Sequence, residues 1–315
     1  MVTPCRISPP GSLHMITRRT SQGQMTLRPD PEINQCLQYC LAYAAQRNEM
    51  DVHAGSVLSN HGHLGVTDRL GDHLPGFNRD FFSLTARSIN CYRGRSESFW
   101  RPFRPNCVLV APFAEDVIDK FAYIIVNPVE AELVSHVRKW PGVIIHPGEQ
   151  EVLEVERPSF FFDELGDLPE KILIPITVPE VLDADTEQLR RRLKDEVQRR
   201  EQAIRERVRS SGRAFMGAKR VLKQSTSSSP NRPPELGERE PTIACKNKDL
   251  RTAMLDWKRA RQKRYDELRQ ELAAQVRKVG NTVFPEGTFA IWRWYGFERE
   301  PWEGCLWKRL IAGMT

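Results

Sequence analysis

The order of apolar and polar residues in the first part of the chain predicts alternating strands and helices. Residues 13–20 have the length and composition of a strand. A helix should begin at Pro31, with Asp30 as its N-cap, and end near Arg47. Its apolar stripe comprises Ile33, Leu37, Cys40, Leu41 and Ala44.

A hairpin is expected next, with strands over residues 52–58 and 61–67 joined by a tight turn at Ser59 and Asn60. A second helix (75–90), a further strand (107–111) and a third helix (115–126) follow in that order. This order of strands and helices is typical of a ferredoxin-like fold. We therefore expect an α+β domain in which helices cover one face of an antiparallel sheet.

The pattern changes beyond Trp140. Residues 141–180 predict irregular chain with short edge strands, and residues 186–209 predict a charged helix with a thin apolar stripe. A second basic helix is expected over 249–279, and an aromatic-rich segment closes the chain. The expected organisation is an unstructured N-terminus (1–12), an α+β domain (13–147), an extended segment with a basic helix (148–223), a serine- and proline-rich linker (224–241) and a C-terminal helix with the aromatic-rich segment (242–315). The region after the α+β domain is thus expected to be mainly helical and basic.

Composition and charge favour a reduced, non-membrane protein with a polyanionic partner. A chain of 315 residues with 40% hydrophobic residues is long enough for two folded units. The net charge of +6 favours a polyanionic partner. No apolar run is long enough to cross a bilayer, and no secretion signal is recognisable at the N-terminus. The 7 scattered cysteines indicate reduced thiols in a cytoplasmic protein.

Four residues in the hairpin and the third helix could form one reactive site. His61 and His63 alternate on a strand and therefore point to the same face of the sheet. Tyr123 and Asn127 are four residues apart and share one face of a helix. Two imidazoles and an amide oxygen form a mixed nitrogen and oxygen site, which suits Mg²⁺ or Mn²⁺ and leaves open positions for a phosphate oxygen and water.

Tyr123 is the candidate nucleophile of this site. A phenol has a pKa of about 10 and therefore needs help, which a cation bound to the scissile phosphate can provide. Attack on DNA would form a covalent phosphotyrosine and release a 3′-hydroxyl. Pro128 is expected to end the helix directly after Asn127 and to aim the amide inward. The alternative is a tyrosine that simply packs against the sheet.

The segments that carry these residues resemble a known group of proteins. Residues 58–64 (Leu-Ser-Asn-His-Gly-His-Leu) and 123–134 are similar to the metal-binding and nucleophile segments of single-tyrosine transposases of the HUH superfamily, of the insertion-sequence type. Within that superfamily the chain looks closest to the REP-associated tyrosine transposases. The resemblance covers residues 13–140. Gly62 departs from the family pattern, which usually has a bulky apolar residue between the histidines.

The resemblance implies specific roles for these residues. His61, His63 and Asn127 would hold the divalent metal, Mg²⁺ or Mn²⁺, and Tyr123 would form a 5′-phosphotyrosine intermediate. The implied substrate is single-stranded DNA that carries a hairpin. The implied activity is that of a metal-dependent endonuclease and strand-transferase in DNA transposition, in a bacterial-type cytoplasm at the nucleoid, with homodimer formation left open.

Interleaved arginine and aromatic residues at 82–104 suit a single strand, because guanidinium groups bind phosphates and rings stack on bases. The segment contains Gly-Arg-x-x-x-x-Trp from Gly94 to Trp100, which also resembles the family. Core aromatics with ordinary surface charge are the alternative. The expected DNA contacts are Arg87, Arg93, Arg95, Trp100, Arg101 and Arg104.

Two other functions remain open from the sequence. One is a domesticated nuclease that processes chromosomal repeats without moving an element. The other is a catalytically inactive nucleic-acid-binding module on the same fold. The presence of Tyr123 and of all three metal-ligand candidates argues against the inactive module.

Overall fold

The computed structural model describes residues 7–102, 104–161, 168–230, 242–274, 283–286 and 298–314. Its main sheet contains six strands in the order β5-β2-β3-β1-β4-β8. The strands are β1 (Ser12–Arg19), β2 (Met50–Val57), β3 (His61–Asp68), β4 (Asn106–Val110), β5 (Ile144–Ile145) and β8 (Ile243–Ala244). All neighbouring strands are antiparallel except β4 and β8. The predicted α+β class with an antiparallel sheet is confirmed.

Helices cover both faces of this sheet, whereas the sequence predicted helices on one face only. The first face packs against α1 (Pro31–Arg47) and α2 (Leu74–Tyr92), and the second packs against α3 (Ala114–Glu130) and α4 (Thr186–Ser210). Because strand side chains alternate, Val66 points to the first group of helices while Gly65 meets α3. The second face is the one that carries the candidate site.

The close approach of α3 to the sheet depends on one glycine. A Cβ atom at Gly65 would lie 2.7 Å from Cε1 of Phe121, which is too close for any side chain. The neighbouring strand also adapts to α3, because a bulge at His53 turns this imidazole toward the same face. The ring of His53 stacks on Phe121 at 6.0 Å between centroids. These contacts set the height of α3 above β3.

The helix that carries Tyr123 does not end at Pro128, which corrects the prediction. α3 continues to Glu130, with Pro128 inside it. Proline removes one backbone hydrogen bond and usually disrupts a helix interior. Here the flanking Val126 and Val129 are buried in the core, and the backbone N–H of Ala131 still donates to Asn127 O at 2.9 Å. The buried residues on both sides of Pro128 therefore keep this segment helical despite the loss of one backbone hydrogen bond.

The charged helix α4 lies along α3 and covers its outer side. Its thin apolar stripe is fully used in this contact; the buried residues are Leu189, Leu193, Val197, Ile204 and Val208. Ion pairs flank the stripe, including Arg200 with Asp119 at 2.7 Å and Arg207 with Glu130 at 3.0 Å. The unit expected over 13–147 therefore shares its core with a later segment.

The remaining elements lie at the edges of the main sheet and over α1. The hairpin of β6 and β7 packs on α1, and β8 adjoins α6. Their bounds are β6 (Val152–Glu156), β7 (Lys171–Pro175), α5 (Ala218–Leu222), α6 (Lys248–Ala274), β9 (Val283–Phe284), β10 (Glu298–Arg299) and α7 (Leu306–Ala312). Much of the predicted aromatic segment, including Trp292 and Trp294, lies outside the described residues. Among the residues described, no helix combines the length and apolar character needed to cross a membrane.

Candidate active site

The two histidines of the predicted pair lie together at the start of β3. Their side chains point to the α3 face of the sheet, and their ring centroids are 5.1 Å apart. Gly62 between them keeps regular pairing with Arg18 on one side and Val57 on the other. A Cβ at Gly62 would meet only ordinary contacts, 3.4 Å from Cγ2 of Val57. The departure from the family pattern therefore leaves the strand intact.

Each imidazole is held through its Nδ1 atom. The Nδ1 of His61 lies 2.7 Å from Oδ1 of Asn60, which can only accept, so this nitrogen carries the proton. The Nδ1 of His63 bonds to Oγ1 of Thr17 at 2.8 Å across the β1–β3 pair. The second nitrogen of each ring is then left for another partner. Nε2 of His63 is buried and has no hydrogen-bond partner among the described residues.

Helix α3 places Tyr123 and Asn127 beside this pair. The Tyr123 ring lies 5.3 Å from the His63 ring, centroid to centroid, and 41% of the tyrosine is exposed. Asn127, one helical turn later, is only 7% exposed and lies beside His61. Its Oδ1 atom is buried, and no residue in the described part of the chain is hydrogen-bonded to it. The structure thus brings all four predicted residues together.

Burial keeps both imidazoles neutral. It lowers the pKa of His61 to about 4, an effect that the Arg19 charge increases and the Asn127 side chain opposes. Burial also lowers the pKa of His63 well below its ordinary value, with further contributions from His61 and Arg19. At neutral pH each ring therefore offers a nitrogen lone pair, which is the form that binds a metal ion.

The residues at this site fit a divalent cation. A buried polar atom without a partner costs free energy, and here Nε2 of His63 and Oδ1 of Asn127 share that condition among the described residues. A cation would satisfy both atoms together with His61. Within the described part of the chain there is no group of three or more His, Cys, Asp or Glu residues that could hold a metal. The candidate set is therefore the mixed one of His61, His63 and Asn127.

Arg19 is a residue of this site that the sequence pattern did not reveal. It lies directly opposite His61 in the β1–β3 pair, so its side chain points to the α3 face. Its charge lowers the pKa of both histidines, which places it near them. It is exposed and forms no ion pair with any described residue. Arg19 could not be assigned to the site from the sequence pattern, because only the register of β1 and β3 places it next to His61.

Two of the six residues predicted to contact DNA have side chains that are buried and bonded within the protein instead. Trp100 is 8% exposed, and its Nε1 donates to Phe82 O at 2.8 Å. The Arg93 side chain is 9% exposed and pairs with Asp30 at 2.8 Å. Both side chains have their polar partners inside the protein. For Trp100 and Arg93 the structure therefore favours the alternative interpretation, a core aromatic and a structural charge.

The other four predicted contacts remain at the surface to different degrees. The Arg95 side chain is mostly covered and donates to Oε1 of Gln24 at 2.9 Å. The exposed ones are Arg87, Arg101 and Arg104. These three remain candidates for contact with a nucleic acid.

Comparison with known proteins gives partial similarities. No family model matches the sequence, and no curated protein matches it. A solved structure of a REP-associated tyrosine transposase bound to a REP hairpin is 19% identical, with a TM-score of 0.35 over 45% of this chain and 81% of that chain. A crystal structure of a candidate transposase from Deinococcus radiodurans R1 is 16% identical, with a TM-score of 0.26 over 35% of this chain and 86% of that chain.

Proposed function

We propose that this protein nicks and rejoins single-stranded DNA through Tyr123, as a transposase does. The observation that carries the proposal is the convergence of an exposed tyrosine with two neutral imidazoles and a buried amide oxygen that has no hydrogen-bond partner among the described residues. Packing of a tyrosine against the sheet would not account for buried polar atoms beside it that lack such partners. The resemblance of the sequence to single-tyrosine transposases points to the same chemistry.

The reaction transfers one phosphodiester bond to the protein and back. The Tyr123 oxygen attacks the scissile phosphorus, an O–P bond to tyrosine forms, and the bond from phosphorus to the 3′-oxygen breaks. The phenolic proton leaves the nucleophile, and the departing 3′-oxygen takes up a proton to become a hydroxyl. A second 3′-hydroxyl can then attack the phosphotyrosine and release Tyr123. No energy source is required, because the number of phosphoester bonds is conserved.

The surrounding residues position and neutralise the phosphate. His61, His63 and Asn127 would hold a divalent cation, Mg²⁺ or Mn²⁺, which polarises the scissile phosphate when bound. Thr17 and Asn60 fix the orientation of the two imidazoles. Arg19 lies at the exposed side of the pair and is suited to contact a non-bridging phosphate oxygen. Because 41% of Tyr123 is exposed, a strand can reach it from solvent.

We propose a hairpin with a single-stranded flank as the substrate, as the resemblance implies. Cleavage in the flank would leave the protein attached to the 5′ phosphate of the downstream fragment. A bacterial cytoplasm with nucleoid DNA is the matching location, and the possibility of a homodimer belongs to the same proposal.

The test uses purified protein and a hairpin oligonucleotide labelled at its 3′ end, with Mg²⁺ or Mn²⁺. The 3′ fragment becomes attached to Tyr123, so we expect a labelled protein band on a denaturing gel. EDTA should abolish this band. A 5′-labelled copy of the same oligonucleotide should give a shortened DNA and no labelled protein. Transfer of the label to protein from the 5′-labelled copy would contradict the proposed polarity.

A further inference from the structure

The chain segment 214–230, which we call the strap, runs beside the candidate active site. At its start it is bonded to the chain just after α3, where the N–H groups of Met216 and Gly217 donate to the carbonyls of Glu132 and Leu133 at 2.9 and 2.8 Å. Val221 in α5 is fully buried in the core that α3 and α4 share. The strap is therefore fastened near the helix end that carries Asn127.

The other end of the strap is fastened near the turn that precedes His61. Oγ of Ser59 donates to Oε1 of Gln224 at 3.2 Å, and Arg28 donates to the Gln224 carbonyl at 2.9 Å. The N–H of Met25 donates to Ser228 O at 2.9 Å. The first part of the segment expected to be a linker is thus packed against the protein. The strap connects the chain after α3 with the turn before β3, and the four site residues lie on α3 and β3.

Three cationic residues of the strap lie between these attachment points. Lys219, Arg220 and Lys223 are exposed, and none forms an ion pair with a described residue. The neighbouring helix α4 differs, because several of its arginines are paired with acidic side chains of α3. Exposed cations without a paired carboxylate are available to a polyanion.

We propose that Lys219, Arg220 and Lys223 bind the phosphates of the single-stranded flank beside the scissile phosphate. This inference rests on the proposed function. From Lys219 to Lys223, α5 and its C-cap rise by about 6 Å, so the three cations lie close together in the chain. A cluster of this size can contact a strand that enters the site, and the burial of Val221 holds α5 in place. The strap would thus help to select DNA with a flank over a bare hairpin.

The experiment compares two variants of the full chain that lose the same charge. The first replaces the strap cations (Lys219→Gln, Arg220→Gln, Lys223→Gln). The matched control replaces three exposed α4 cations that form no ion pair with a described residue (Arg191→Gln, Lys194→Gln, Arg209→Gln). Binding is measured for a hairpin with a flank and for the same hairpin without one, over a range of salt concentrations.

We expect the strap variant to lose roughly tenfold affinity for the flanked hairpin, with a salt dependence weaker by about 0.7 per lost phosphate contact. Its affinity for the bare hairpin should match that of the control variant. Equal losses in both variants, or an equal loss on both DNAs, would overturn the inference. If the unaltered protein neither cuts nor prefers flanked DNA, the proposed function itself fails, which is a separate outcome.

Discussion

The ring of Tyr123 lies 5.3 Å from the ring of His63, centroid to centroid, across the interface between α3 and β3. The candidate nucleophile is therefore next to an imidazole whose Nε2 is buried and is not hydrogen-bonded to any residue that the structure describes. An atom bound to that nitrogen would be close to the point of attack.

Replacing Tyr123 with Phe should abolish formation of the covalent adduct and leave hairpin binding within about twofold. The ring and its packing remain, and only the attacking oxygen is lost. Tyr92→Phe is the matched control, because that tyrosine is 40% exposed and lies on α2. Adduct formation by the Tyr123→Phe variant at the rate of the unaltered protein would assign the nucleophile to another residue.

Replacing His63 with Ala should weaken Mn²⁺ binding by roughly 100-fold or more, and Asn127→Ala should act in the same direction. Mn²⁺ binding can be followed by electron paramagnetic resonance without DNA, so the result does not depend on activity. His73→Ala serves as the control, since His73 lies beyond the opposite end of β3. Unchanged Mn²⁺ affinity in both site variants would remove the metal site from the proposal.

Thr17→Val should reduce Mn²⁺ affinity by about 10-fold to 100-fold, although Thr17 is not a ligand candidate. The substitution keeps the side-chain shape and removes the hydroxyl that bonds to Nδ1 of His63 at 2.8 Å. Thr17→Ser retains that hydroxyl and should restore most of the affinity. If valine and serine behave alike, the hydroxyl does not orient the ring.

Gly65→Ala should lower the free energy of unfolding by about 1–3 kcal/mol, because the new methyl group would overlap the Phe121 ring. The overlap follows from the 2.7 Å between a Cβ at this position and Cε1 of Phe121. Gly62→Ala, on the same strand, meets only ordinary contacts and should be nearly neutral. Denaturant titration of both variants measures the difference. Equal effects would mean that α3 can move away from the sheet.

Acid should destabilise the protein partly through His14. Burial lowers the pKa of His14 from 6.5 to about 3, so the folded state keeps this ring neutral while the unfolded state takes up a proton below pH 6.5. Stability is therefore lost as the pH falls from 6.5 toward 3, by about 2 kcal/mol at pH 5. His14→Gln should reduce this loss by a similar amount in urea titrations at pH 7 and pH 5. An unchanged pH dependence would contradict the assignment.

Much of the sheet, and the proximity of the four candidate residues, could be predicted from the sequence. Residue periodicity gave the strands and helices, because alternation and helical spacing are local properties. The hairpin from Met50 to Asp68 and the helix after Pro31 lie within a few residues of the predicted bounds. The His61–His63 pair could be placed on one face for the same reason.

The features that were missed depend on contacts between distant segments. Arg19 could not be placed beside His61 without the register of β1 and β3. Arg93 looked like a surface cation because its partner, Asp30, lies 63 residues away. The second helical layer was missed because the apolar stripe of α4 gives no indication of which surface it covers.

The packing of α4 on α3 also fixes when the site can be assembled during synthesis. The apolar outer side of the helix that carries Tyr123 is covered by residues up to Val208, which leave the ribosome long after the histidines do. A nascent chain that has only reached the hairpin and α3 therefore still exposes that side. Arrested or prematurely terminated translation would leave α3 without its outer layer, so folding of the candidate site would depend on completion of a much longer polypeptide.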